Sequence, residues 1–146
     1  MGDFLQYYKT MKIKVIILVG IIVVGHGKFG KGLISSVDII VGQQDYLESV
    51  EFKLEDSTEV LERNIKKKVV NMEDCNGILF LTDVAGGTPF KTCVLLSQEI
   101  ENSKVISGTN LPILLEAVMK RDTDNIEELK NNLMEVGRQG IMSFEI

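Results

Sequence analysis

Short runs of apolar, largely β-branched residues alternate with amphipathic helical patterns along almost the whole chain. The periodicity predicts four strands that are each followed by a helix, then one further helix and a short last strand. Strands that alternate with helices are joined by right-handed crossovers, which make them parallel members of one sheet. We therefore expect an α/β fold, an open parallel sheet with helices on both faces.

The apolar runs and the helical stripes give approximate bounds. The first run, Val15–Val24, is longer than an ordinary strand, so its second half is the expected core strand. Asp56 and Thr88 stand where the N-caps of the second and third helices are expected. The other expected strands are Ser49–Leu54, Gly77–Thr82, Lys104–Thr109 and Ile141–Ile146, and the expected helices are Gly30–Val41, one from near Asp56, Thr88–Glu99, Leu111–Met119 and Asn125–Val136.

The apolar patterns also predict the order of the strands in the sheet. The first and third strands are continuously apolar, as strands covered on both faces are. The second strand alternates apolar and polar residues, which is typical of a half-exposed edge. The predicted spatial order is therefore 2-1-3-4.

The length and the composition limit the classes of protein to consider. The 146 residues suffice for one domain, expected at 15–146 after an N-terminal extension at 1–14. The net charge of −5 argues against a nucleic-acid partner, because neutralising phosphates needs a basic face. Two cysteines without CxxC spacing indicate buried thiols in a reducing compartment. With a single histidine, no metal site is expected, and no cofactor.

In the order 2-1-3-4 the chain reverses direction between strands 1 and 3. Open α/β sheets bind ligands at such a switch point, beyond the carboxyl ends of the strands. The loops at 25–32 and 83–88 should therefore face each other across the candidate site.

The first of these loops, 25–32, permits more than one interpretation. Its glycines match the GxGxxG pattern of dinucleotide-binding turns, but Glu51 and Glu55 fit the expected ribose-binding acid only loosely. A Walker A loop is also nearly complete, yet Gly32 replaces the serine or threonine that holds magnesium. A small nucleotide- or dinucleotide-binding module that uses the GHGKFG turn is the alternative hypothesis.

The chemistry of the two loops favours a phosphoryl acceptor. A carboxylate at Asp83 that accepts the Nδ1–H of His26 would leave Nε2 with an outward lone pair, which is nucleophilic. The N–H groups at the start of the third helix, at Gly87 and Thr88, together with the Thr88 hydroxyl, would bind the phosphate beside it. These residues thus predict a nucleophile, a group that orients it and an anion site.

Three segments carry a resemblance to a known family: 25–27 with Gly32-Leu33, 82–90 and 107–112. Together they resemble the IIA component of mannose-type sugar phosphotransferase systems, over nearly the whole chain from about Val19. By this resemblance His26 accepts a phosphoryl group on Nε2 from the histidine-containing phosphocarrier protein and passes it to a IIB subunit. Asp83 corresponds to the family's hydrogen-bonded aspartate, and Thr88 to its hydroxyl residue.

The resemblance also implies a setting and an assembly. It implies a cytoplasmic protein, an enzyme of the phosphotransferase class that reaches the membrane transporter only through its partners. Val84-Ala85 replaces an aromatic-containing pair of mannose-specific members, so the sugar stays unassigned. The family is typically a homodimer whose C-terminal strand joins the partner's sheet. The apolar residues of 141–146 fit such an exchange, and a fifth strand on the chain's own sheet is the alternative.

Overall fold

A computed structural model describes residues 18–146 of the chain. The described part contains a four-stranded parallel sheet and five helices. The elements in chain order are β1 (Gly20–His26), α1 (Phe29–Val41), β2 (Leu47–Phe52), α2 (Thr58–Val70), β3 (Ile78–Thr82), α3 (Thr88–Ser97), β4 (Ser103–Ile106), α4 (Leu111–Lys120) and α5 (Ile126–Gln139). The predicted extension at 1–14 and the start of the first apolar run lie outside the described residues.

The sheet has the order β2-β1-β3-β4, which confirms the predicted α/β fold and strand order. β1 pairs in parallel with β2 on one side and with β3 on the other. Because β1 and β3 are central and parallel, their carboxyl ends lie side by side at the switch point. This topology brings the loop after β1 next to the loop after β3.

Side chains of β1 alternate between two hydrophobic cores, one on each face of the sheet. Ile21 and Val23 belong to the core that also contains residues of α1, α4 and α5. Ile22 and Val24 belong to the core that contains residues of α2 and α3. All four side chains are fully buried, so β1 is a rigid support for the residue that follows it.

The first two strands have bounds that differ from the sequence prediction. The predicted first strand ends at Val24, but the pairing with β2 continues through Gly25 to His26. β2 lies two residues earlier than predicted and ends at Phe52, which leaves the Leu54 side chain exposed rather than in the core. Alternation alone could not predict this register, because the two buried residues of the strand, Leu47 and Val50, do not follow an alternating pattern.

The caps of α2 and α3 also differ from the prediction. Ser57, not Asp56, caps α2 by accepting a hydrogen bond from the Val60 N–H, while Asp56 accepts from the Lys53 N–H. Gly87, not Thr88, is the N-cap of α3, and Thr88 is its first helical residue. The α3 cap makes no side-chain hydrogen bond, which leaves N–H groups of the first turn available to a ligand.

The remaining differences lie at the ends of elements. β4 ends at Ile106 rather than Thr109, because the N–H groups of Gly108 and Thr109 turn to bond the carbonyls of Asp83 and Thr82. The segment 141–146 forms neither a strand nor part of the four-stranded sheet in this single chain, and its side chains are exposed. Cys93 is buried as predicted, whereas Cys75 is only partly buried.

Candidate functional site

His26 is the last residue of β1 and stands at the carboxyl edge of the sheet, with 52% of its side chain exposed. Gly27 follows with a φ of 54°, a conformation that an L side chain adopts only with strain. The turn therefore leaves the strand sharply, and α1 begins at Phe29. His26 is presented to solvent at the end of a buried strand, as the sequence predicts.

Asp83 follows β3 and binds His26 twice through a single oxygen. Its Oδ2 lies 2.7 Å from Nδ1 of His26 and 2.8 Å from the main-chain nitrogen of the same residue. Only 12% of the Asp83 side chain is exposed. The predicted pairing of these residues across the switch point is thus present in the fold.

Hydrogen bonding keeps Asp83 ionised. Partial burial pushes the pKa of its carboxyl upward, but hydrogen bonds from the His26 main chain and ring outweigh it, helped by the Val84 N–H and by the electrostatic interaction with His26. The pKa of Asp83 therefore lies below its ordinary value. An ionised carboxylate only accepts hydrogen bonds, so Nδ1 must carry the proton. In the neutral imidazole, Nε2 is then the nitrogen with a free lone pair.

Two further groups bound the imidazole. The Phe52 ring packs against it in an edge arrangement, with centroids 5.8 Å apart and ring planes at 68°. A Cβ atom added to Gly87 would lie 3.2 Å from Cε1 of His26. The start of α3 therefore lies against the ring. Phe52 is not predicted from the sequence as a site residue, because only the register that pairs it with His26 identifies it.

The first turn of α3 has unpaired donors next to this ring. Lys91 N–H already bonds the Gly87 carbonyl, and Pro89 has no N–H. The N–H groups of Thr88 and Phe90 have no hydrogen-bond partner among the described residues. Such donors at a helix N-terminus, with the partial positive charge of the helix dipole, suit an anion.

The third motif, 107–112, holds the loop of Asp83 in place. The N–H of Gly108 bonds the Asp83 carbonyl, and that of Thr109 bonds the Thr82 carbonyl at 3.1 Å. Asn110 caps α4 by accepting from the Ile113 N–H and donates to the Gly137 carbonyl. This motif therefore positions the loop of Asp83, and none of its hydrogen bonds within residues 18–146 involves the imidazole.

Among residues 18–146, no three side chains of histidine, cysteine, aspartate or glutamate come together as a metal-binding cluster. Within the same range, every helix is too short or too polar to cross a bilayer.

Comparison with known proteins shows the family of the chain. The model of the family described as "PTS system fructose IIA component" matches residues 20–134, which include His26, Asp83 and Thr88. The chain belongs to this family. The resemblance of the sequence to the IIA components of sugar phosphotransferase systems is thereby confirmed.

Individual relatives extend along most of the chain. The fructose-specific EIIA component of Bacillus subtilis is 30% identical over 129 residues, which cover 88% of this chain and 86% of the relative. The mannose-specific EIIAB component of Escherichia coli K12 is 28% identical over 128 residues. The chain spans 40% of the length of that relative.

Solved structures show the same fold. A phosphotransferase system component EIIA from Streptococcus agalactiae superimposes with a TM-score of 0.80 at 33% identity, covering 86% of this chain and 97% of that one. A mannose/sorbose-specific IIA subunit from Enterococcus faecalis gives a TM-score of 0.78 at 24% identity. The family and these similar proteins do not support the alternative of a nucleotide-binding module.

Proposed function

We propose that this protein is the phosphoryl carrier of a phosphoenolpyruvate-dependent sugar phosphotransferase system, with His26 as the residue that carries the phosphoryl group. The observation that supports the proposal most is the pair of hydrogen bonds from His26 to Oδ2 of Asp83. They fix the proton on Nδ1 and leave the lone pair on Nε2, in a side chain that is 52% exposed and that a partner protein can therefore reach.

The reaction exchanges one phosphorus–nitrogen bond for another. The Nε2 lone pair of His26 attacks the phosphorus of a donor phosphohistidine, and the donor nitrogen leaves with the electron pair of the broken bond. As charge develops on the His26 ring, the Asp83 carboxylate stabilises the Nδ1–H. Because both nitrogens belong to imidazoles, the transfer is nearly isoenergetic and reversible, and positioning is the main demand on the protein.

The phosphate is bound at the start of α3. Gly87 leaves room beside Cε1 of His26, and the Thr88 and Phe90 N–H groups lack partners among the described residues. The hydroxyl of Thr88, a half-buried residue, adds a donor at the same turn. These groups would hold the oxygens of the transferred phosphoryl group while Nε2 approaches the phosphorus.

The proposed partners are those that membership of the family implies. The donor is the histidine-containing phosphocarrier protein, and the acceptor is a IIB subunit that serves a membrane transporter. The protein works in the cytoplasm and reaches the membrane complex only through these partners. Lys28 and Val84 are exposed on the two loops beside His26, where a docking partner would contact them.

We propose further that the protein is a homodimer in which residues 141–146 of each chain add to the partner's sheet. Ile141 lines the same surface cavity as Ile106, the last residue of β4, and β4 is an edge strand of the sheet. The exposed Ile141, Met142, Phe144 and Ile146 would be covered by such an exchange.

Incubation with phosphoenolpyruvate and the two general phosphocarriers of these systems tests the carrier function. We expect intact-protein mass spectrometry to show the gain of one phosphoryl group. The adduct should be labile in acid and stable in base, as a phosphohistidine is. A protein that gains no phosphate, or an acid-stable adduct, would contradict the proposal.

A further inference from the structure

The Phe52 ring forms one side of the site, and other parts of the protein hold it in place. Phe52 is the last residue of β2 and the register partner of His26, and the Gly27 N–H bonds its carbonyl at 2.9 Å. Its side chain packs against the core between the sheet and helices α2 and α3. The ring that meets the imidazole is therefore held both by its strand and by the core.

Asp83 alone does not determine the plane of the imidazole. The last side-chain torsion of a histidine is broad and roughly two-fold, so one hydrogen bond at Nδ1 restrains the imidazole without locking its plane. Rotation moves Nε2, the atom that attacks phosphorus. On one side the Phe52 ring, 5.8 Å away between centroids, limits this motion. The Gly87 backbone limits it at Cε1.

We propose that Phe52 is a positioning residue for phosphoryl transfer, which keeps Nε2 of His26 aimed at the incoming phosphorus. This inference rests on the proposed function, because it assigns Phe52 a role in that reaction. Misplacing a nucleophile by a fraction of its bonding distance slows the chemical step and leaves binding of the partner unaffected. Loss of the aromatic ring should therefore lower kcat and leave KM for the phosphocarrier unchanged.

Three variants separate this role from simple packing. Phe52→Leu keeps an apolar side chain in the core but removes the flat ring, and we expect kcat to fall about tenfold. Phe52→Tyr keeps the ring, and we expect nearly the wild-type rate. Phe29→Leu is the matched control. Phe29 also lies at the carboxyl edge of the sheet, but its side chain packs against the core that contains residues of α1, α4 and α5.

The imidazole itself supplies a readout that a packing defect elsewhere would not change. His26 is the only histidine of the chain, so its ring gives one set of nuclear magnetic resonance signals. In the wild-type protein we expect cross-relaxation between the His26 and Phe52 ring protons. In Phe52→Leu we expect the imidazole to move with a larger amplitude than in the wild type. In Phe29→Leu we expect its motion to be the same as in the wild type.

The outcomes distinguish this inference from the proposed function. If the wild-type protein takes up no phosphate, the proposed function fails. If it does, but Phe52→Leu retains the wild-type kcat or changes only KM, the positioning role is wrong. Absence of cross-relaxation between the two rings in the wild-type protein would also overturn it, and this measurement needs no variant to fold.

Discussion

One carboxylate oxygen of Asp83 accepts hydrogen bonds from both the main-chain nitrogen and the Nδ1 of His26, at 2.8 and 2.7 Å. The two residues are 57 positions apart in the sequence and terminate neighbouring parallel strands. The same contact thus joins the ends of β1 and β3 and sets the tautomer of the ring. Both the link between the two strands and the tautomer of the His26 ring therefore depend on the Asp83 side chain.

Replacing Asp83 by asparagine should slow phosphoryl transfer without unfolding the protein. An asparagine can turn its amide N–H toward Nδ1, which favours the tautomer with the proton on Nε2. We expect a rate at least about tenfold lower, equivalent to about 1.4 kcal/mol in the barrier. Rapid-quench assays of transfer from the phosphocarrier measure it, with Glu55→Gln as a control at an exposed carboxylate of the same edge. An unchanged rate in Asp83→Asn would count against the assigned role.

The lowered pKa of Asp83 predicts a pH dependence of stability. A carboxyl whose folded-state pKa lies below its ordinary value of 3.8 stabilises the native state fully above that value. The stabilisation is lost as the pH falls through the lower, folded-state pKa. Denaturant titrations of the wild type and of Asp83→Asn should therefore differ by a constant free energy near neutral pH and converge below pH 3.8. Parallel curves down to the lowest pH would exclude this linkage.

The sequence predicted the fold and the principal pair well for a physical reason. Continuous apolar runs mark β1 and β3 as central strands, and central parallel strands bring their carboxyl ends together. His26 ends β1 and Asp83 directly follows β3, so their meeting depends on the topology of the sheet more than on local detail. Phe52 was not predicted because its position depends on the register of β2. The alternating sequence of that strand was also compatible with a core that included Leu54.

Local hydrogen bonds account for the errors at the ends of helices. Asp56 and Ser57 are both good N-caps, and sequence preference does not choose between them. The choice depends on the Lys53 N–H, which engages Asp56 and leaves Ser57 to cap α2. The end segment 141–146 presents a different difficulty, because in the proposed dimer it would pair with a second chain and so would have no partner within one chain.

Thr88→Val should weaken binding of the phosphoryl group. The substitution removes one hydroxyl donor at nearly constant volume, and hydrogen bonds to charged groups contribute about 1.5–3 kcal/mol. We expect transfer to slow by about tenfold and Thr88→Ser to retain most of the rate. Thr58→Val is the matched control, because Thr58 is also the first residue of its helix but lies on α2. Equal effects of the Thr58 and Thr88 variants would argue against a phosphate contact at Thr88.

Deletion of residues 141–146 should convert the proposed dimer into a monomer. The exposed apolar side chains of this segment, such as Phe144, would lose their place on the partner's sheet. Light scattering at micromolar concentration measures the mass, with Leu54→Asp as a control at an exposed apolar residue outside the segment. A monomeric wild-type protein, or a dimer that survives the deletion, would refute strand exchange.

The most direct test of the central claim compares phosphorylation of the wild type and of His26→Ala under identical conditions. His26 is the only imidazole of the chain and is half exposed, so its loss should leave the fold intact, which circular dichroism and thermal unfolding can verify. With phosphoenolpyruvate and the general phosphocarriers, the wild type should gain one phosphoryl group and the folded His26→Ala variant none. Labelling of His26→Ala at the wild-type rate would contradict the account.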